Sequence, residues 1–276
     1  MQKWILPLAA LLLLVPNFFN VDINYHNERR PAEEFDVSLL RLSSIEKLAA
    51  YTDSLASTKN ISSNHPEYLL LVENIIAKRF FHGFSHYKLN ENWVASVSEK
   101  IFGRGLACLV KPNDIMQRAD GACSQQSIVM MELLKRKNID YRKVGFPHHY
   151  AMEAKFNKQW YFADANQEPD MTVDARLHQN WKGQSDNLKQ YYDPKIYTNL
   201  DYAFGIGQLA EIGPVNEVPA KNLTLFHSLT LLMSRFAWCL PLIILFAKSR
   251  KKIRAKVINM RQPVVSKLAA QRFNIS

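Results

Sequence analysis

Cysteine is scarce in this chain. The 276 residues hold three, Cys108, Cys123 and Cys239, too few for the disulfide framework that staples small secreted domains. Neither a Cys-x-x-Cys nor a His-Glu-x-x-His spacing occurs, and no acidic run suits a calcium loop, so no metal or other cofactor is expected. Acidic residues are missing altogether from residues 248–276, which carry nine Lys and Arg. That tail and Lys3 account for the whole net charge of +10, leaving residues 4–247 neutral. A neutral central region argues against polyanion binding, and nucleic acid is not an expected partner. No internal repeat is visible.

Two apolar runs lie near the ends. Residues 4–19 would make a helix of about 24 Å, short of a bilayer core of about 30 Å. Small residues are missing at its exit, which favours an uncleaved anchor over a cleaved signal peptide. Residues 229–247 would make about 28 Å of helix, marred by Arg235 and Pro241. The cluster KSRKKIRAK that follows is a positive-inside signal and predicts a cytoplasmic C-terminus. Arg29 and Arg30, on the outer flank of the first run, mildly oppose this topology. The expected organisation is an anchor over 1–22, an extracytoplasmic domain over 23–222, a transmembrane helix over 223–247 and a basic cytoplasmic tail over 248–276. That places the protein in the inner membrane, with its domain facing the periplasm.

Within the domain, an amphipathic helix is predicted from about residue 30 to 57. A second is predicted over 66–81, with Ser63 and Asn64 as caps and Leu69, Leu70, Val72, Ile75 and Ile76 as its apolar stripe. Residues 79–93, dense in aromatics and His, suit either a groove wall or a hinge packed on the core. Residues 167–222 read as loops and short helices.

The chemistry concentrates between Gly121 and Asn166. Apolar residues recur at helical spacing from Cys123 to Lys137, so Cys123 stands at a helix start, where the dipole favours a thiolate; Asp120 opposes this. A strand then places Tyr150, Met152, Ala154 and Phe156 on one face and His149, Ala151, Glu153 and Lys155 on the other. With a two-residue turn at Asn157 and Lys158, Phe156 pairs with Gln159, Ala151 with Asp164 and His149 with Asn166. His149, rather than His148, then shares a face with Asp164 as a diagonal neighbour, while Asn166 is the competing partner directly opposite. A nucleophile, a base and an orienting acid are the parts of a covalent acyl-transfer site. Glu153, on the same face, is expected to support the strand or groove wall.

The order Gly121-Ala122-Cys123 at a helix start, His149 to Glu153 on a strand and Trp160 to Asp164 on the next resembles the transglutaminase-like family, a branch of the papain-like fold. In place of the family's usual Pro after the Asp stands Ala165. The resemblance spans about residues 93–170 and implies an α+β core with the Cys-bearing helix packed on an antiparallel sheet; the two apolar runs add the transmembrane helices expected on its flanks. It also implies a Cys123-His149-Asp164 triad that works through a thioester on a peptide or protein substrate. Gln117, six residues before the Cys, and Trp93 are the candidates for a second oxyanion donor. Hydrolysis and acyl transfer both remain open. The competing expectation is a non-catalytic binding module within an envelope polysaccharide or secretion assembly.

Overall fold

The computed structural model describes residues 4–25, 34–194, 199–252 and 254. Lys3, Arg29 and Arg30, and the tail beyond Arg254, lie outside the described residues. The fold is α+β, with eleven α-helices and one antiparallel sheet among the described residues. The helices are α1 (Ile5–Leu14), α2 (Ile45–Thr58), α3 (Glu67–Arg79), α4 (Leu89–Phe102), α5 (Pro112–Ile115), α6 (Cys123–Arg136), α7 (His178–Trp181), α8 (Ser185–Lys189), α9 (Leu200–Phe204), α10 (Lys221–Phe236) and α11 (Cys239–Lys252). The strands are β1 (Tyr141–Gly145), β2 (Tyr150–Phe156), β3 (Gln159–Ala163) and β4 (Glu211–Ile212), in the order β3-β2-β1-β4.

The β2–β3 hairpin has the expected register, Phe156 opposite Gln159 and Met152 opposite Ala163. Asn157 and Lys158 both take positive φ (48° and 68°), the geometry of a tight turn whose twist matches that of the flanking strands. Alternation along β2 divides the core in two. Met152, Ala154 and Phe156 pack with Val129, Met131 and Leu133 of α6 and with Val72 and Ile76 of α3. Ala151, with Phe162 of β3, faces Trp181, Leu188, Tyr192 and Phe204 on the opposite side. The sheet is therefore covered on both faces.

The helix predicted over 30–57 is interrupted. A 3-10 turn, Val37–Arg41, precedes α2, and each has its own N-cap: Asp36 accepts the Ser38 N–H at 2.8 Å, and Ser44 accepts the Lys47 N–H at 3.3 Å. Two caps inside one apolar run start two elements. Ser63 and Asn64 do not cap α3, which begins behind Pro66 without a side-chain cap.

The expected straight transmembrane helices are replaced by a different arrangement. No single helix among the described residues is long and apolar enough to cross a membrane, although the α10–α11 pair, bent by 50°, has the length and composition jointly. Pro241 supplies the reason, because it has no N–H to give the Ala237 carbonyl and its ring obstructs a continuous helix there. The N-terminal apolar segment, Ile5–Phe18, is shorter still.

Helix α10 is inverted relative to an ordinary surface helix. His227, Thr230 and Ser234 are buried, while Leu225, Leu229, Leu232, Met233 and Phe236 are exposed. The buried polar row meets α4, which is kinked at Asn92 (φ −154°, ψ 75°). Asn92 Nδ2 donates to Thr230 Oγ1 at 2.9 Å, and Ser234 Oγ donates to Asn92 Oδ1 at 3.0 Å and accepts the Val94 N–H at 3.0 Å.

Candidate active site

Three features fix Cys123 as the first residue of α6. Gly121 is clamped in a parallel bridge: Phe81 N–H donates to Ala119 O and Gly121 N–H to Phe81 O, both at 2.9 Å. A Cβ on Gly121 would lie 2.9 Å from the Phe80 ring, so the bare backbone is what allows this approach. Gln125, buried one turn into the helix, accepts the Ala122 N–H at 3.2 Å and the Ser85 N–H at 2.9 Å. Its amide donates to Ser85 O and Leu109 O at 2.8 and 2.9 Å. The helix start is thus sewn to the loop after α3. The amides of Cys123, Ser124 and Gln125 have no acceptor within the helix, which leaves N–H donors beside the thiol where a developing oxyanion would form.

His149 stands at the entrance to β2 and Asp164 at the exit of β3. His149 Nε2 meets Asp164 Oδ2 at 2.7 Å, with both side chains almost wholly buried. Cys123 is close enough to act electrostatically on His149, and with Nε2 committed to the carboxylate, Nδ1 is the ring nitrogen left for the thiol. Parity keeps His148 apart, and its ring stacks on Tyr202 at 3.9 Å. Asn166 does not replace Asp164: it donates its backbone N–H to Asp164 Oδ1 at 3.2 Å, and its carbonyl receives His82 Nε2.

The carboxylate is held from all sides. Oδ2 accepts from Tyr192 Oη at 2.9 Å as well as from His149, and Oδ1 accepts the Asn166 and Gln167 amides at 3.2 Å. The Asp164 N–H itself donates to Glu73 Oε1 at 2.6 Å. Glu73 is buried on α3 and paired with buried Arg176 at 2.8 Å, and Arg176 also donates to Phe162 O at 3.1 Å. Tyr192, Glu73 and Arg176 were not picked out by sequence. Glu73 had left a signal, since it shares a helical stripe with Leu69, Val72 and Ile76, where a charge needs a partner. For Tyr192, 28 residues from Asp164, there was none. Glu153 is a structural hub, buried and bonded to Arg142 at 2.6 Å, His178 at 2.8 Å and Trp181 at 3.1 Å.

The two oxyanion candidates are not brought to the triad. The Trp93 indole N–H donates to Ser234 O at 3.1 Å in the α4–α10 seam, so that donor is already engaged. Gln117 is exposed just beyond α5, and no hydrogen bond of its side chain ties it to Cys123 or His149. Among the described residues no cluster of three His, Cys, Asp or Glu is placed to hold a metal ion. Cys108 is a free thiol, pushed up to about 12 by burial and by the carboxylates of Glu99 and Asp22.

Burial drives His149 towards its neutral form, but the Asp164 carboxylate and then Cys123 outweigh it and raise the pKa from 6.5 to about 10. Burial also raises Asp164, and His149, Tyr192 and the Gln167 amide outweigh it, holding the carboxyl below its ordinary 3.8. A raised His contributes stability in full below about pH 6.5, and that contribution is lost as pH climbs through about 10. A lowered Asp contributes above about pH 3.8, and its contribution is lost as pH falls through its folded value. The pair therefore stabilises most between these limits. The urea midpoint of the wild type should fall more between pH 6 and pH 10 than that of Asp164→Asn, in which His149 lacks the charge that keeps it cationic. Equal losses would remove the pair from the account.

A groove of about 620 Å³ is lined by Ser124 and Gln125, which follow Cys123 in α6, and by Tyr150, which follows His149, while Cys123, His149 and Asp164 are not themselves among its lining residues. Phe84, from the aromatic segment 79–93, also lines it, whereas Phe80, Ser85, His86 and Tyr87 of the same segment are buried. Comparison of the chain with protein-family models, with curated proteins and with solved structures found no match.

Proposed function

We propose that this protein is a cysteine acyl-transfer enzyme with a transglutaminase-like core, attached to the inner membrane with its catalytic domain on the periplasmic side. The observation that carries the reading is His149, hydrogen-bonded to Asp164 and within electrostatic reach of Cys123 at the start of α6. A cationic imidazole held beside a sulfur favours the nucleophilic form of a cysteine.

In the proposed reaction the Cys123 sulfur, its proton held by His149, attacks an amide carbonyl and forms a C–S bond. The oxyanion is met by the amides at the start of α6. The C–N bond breaks as the leaving amine takes the proton from His149, leaving an acyl-thioester and a neutral imidazole. His149 then accepts a proton from water or from an acceptor amine, which attacks the thioester. The C–S bond breaks, and the acid or the new amide departs. Asp164 orients the ring and balances its charge throughout.

The membrane setting is supported by the outward apolar faces of α1, α10 and α11 and by the basic cluster that begins at Lys248 in the last turns of α11. A non-catalytic envelope module is the competing reading. The engaged His149 and the open groove favour turnover.

The test is labelling by an iodoacetamide probe in the full-length protein. The wild type should label at Cys123 and Cys123→Ala should lose that labelled site, read by mass spectrometry of the labelled peptides because Cys108 and Cys239 are half-buried free thiols as well. A wild type whose Cys123 labels no faster than Cys108 or Cys239 would reject Cys123 as the nucleophile.

A further inference from the structure

The groove beside Cys123 is more specific than an apolar cleft. Ser124, Ile128 and Met131 line it from one face of α6, spaced so that the groove runs about 10 Å along the helix from the nucleophile. Val218, from the segment leading into α10, and Leu223, in its first turn, form the facing apolar wall. Ser124 and Asn222 add polar side chains that have no hydrogen-bond partner among the described residues. A lipid chain has no use for such groups, but the N–H and C=O of an extended polypeptide would satisfy them.

The rim has a charge preference. Arg104, Lys143 and Lys221 line the groove and Glu217 is the single acidic lining residue. Lys143 is paired with Glu211 at 3.1 Å, whereas Arg104 and Lys221 have no ion-pair partner among the described residues. Arg104 is also presented in an unusual way. Gly103, Arg104 and Gly105 take φ of 66°, 70° and 72° in succession, a left-handed conformation that a non-glycine residue adopts at a cost. Glu99 holds the turn from beneath, its carboxylate accepting the Gly105 and Ala107 amides at 3.3 Å and its carbonyl the Gly103 amide at 2.7 Å. The turn carries an arginine to the edge of the groove, and its carboxylate support is spent on backbone amides rather than on neutralising that arginine.

We propose that the groove binds an extended polypeptide as acyl donor, with an apolar side chain against Ile128, Met131 and Leu223 and an acidic side chain read by Arg104. This deepens the reading of the site as an acyl-transfer enzyme and rests on it only for the orientation of the chain past Cys123. Arg104 is a specificity residue here, exposed at the groove's edge, where its charge and fork geometry can pair with a carboxylate.

The test is fluorescence anisotropy with full-length Cys123→Ala protein in neutral detergent and three labelled peptides. They share a Leu-Ile centre and differ only in carrying Glu, Gln or Lys at the flanking positions. The Glu peptide should bind at least tenfold more tightly than the Gln peptide at low ionic strength, and the gap should close in 0.5 M salt. Added to the same protein, Arg104→Glu should reverse the order of the Glu and Lys peptides. Arg104→Gly, which suits the left-handed backbone and guards against misfolding, should abolish the Glu preference. Equal binding of the three peptides, or an unchanged order in Arg104→Gly, overturns the inference. If the peptides bind alike and Arg104→Gly instead weakens attachment to phosphatidylglycerol vesicles, the cations serve the membrane and the inference also fails. Probe labelling of Cys123 is read separately, so a groove without charge preference and a cysteine without reactivity are distinguishable failures.

Discussion

Replacing His149 with Ala is expected to slow acyl transfer by about 10²- to 10⁴-fold, the range associated with losing a positioned acid–base group. The same substitution should depress alkylation of Cys123 at neutral pH, because no other cationic side chain is hydrogen-bonded to Asp164 to take the place of the imidazolium. Asp164→Asn should be less severe for alkylation, since His149 remains beside the thiol, yet still strongly impair turnover because the ring loses its orienting charge. Initial alkylation rates across pH 5 to 9, with turnover on a peptide amide, separate the two variants. An alkylation rate for His149→Ala equal to that of the wild type throughout would show that the histidine does not act on this cysteine.

Arg176→Met should give the largest loss of stability, about 3–5 kcal/mol, because it leaves Glu73 buried without its counter-charge. Burial already pushes the Glu73 carboxyl up, with Arg176 as the main opposing influence. Without the guanidinium, Glu73 would take up a proton or reorient, and its 2.6 Å hydrogen bond from the Asp164 amide would weaken with it. The damage should therefore extend to the site. Urea denaturation reports the first effect and the pH profile of Cys123 alkylation the second. The double variant Glu73→Leu/Arg176→Met should recover much of the stability, since matched apolar replacement of a buried pair is often neutral, while site function stays impaired. Full recovery of both would reduce the pair to packing.

The parts of this site carried by local pattern were legible in the sequence. The alternation of β2, a two-residue turn at Asn157 and Lys158, and the count from Phe156 to Asp164 determine that His149 and Asp164 meet, and they meet at 2.7 Å. The helical spacing after Cys123 likewise places the thiol at a helix start. What escaped depends on contacts distant in sequence. Glu73 reaches Asp164 across 91 residues, and Trp93 is withdrawn from oxyanion duty by Ser234, 141 residues away. Neither contact has a local periodicity to announce it. The continuous apolar helix expected over 229–247 is broken locally, by Pro241, but its packing against the domain is again a distant contact. Hydropathy recorded how apolar the stretch is, but the register of His227, Thr230 and Ser234 against Asn92 decided where the domain ends.

That register has a practical side. Because α10 is built into the domain by its polar face, the border between its packed and its exposed apolar side runs lengthwise along the helix instead of across the chain. Cutting the chain before Lys221 would strip Asn92 of both side-chain partners on α10 and remove the wall of the groove formed by Leu223. Cutting after Phe236 would keep the whole seam. The exposed apolar surface of α10 is then better reduced by changing the outward residues Leu225, Leu229, Leu232 and Met233 to polar ones than by shortening the chain further.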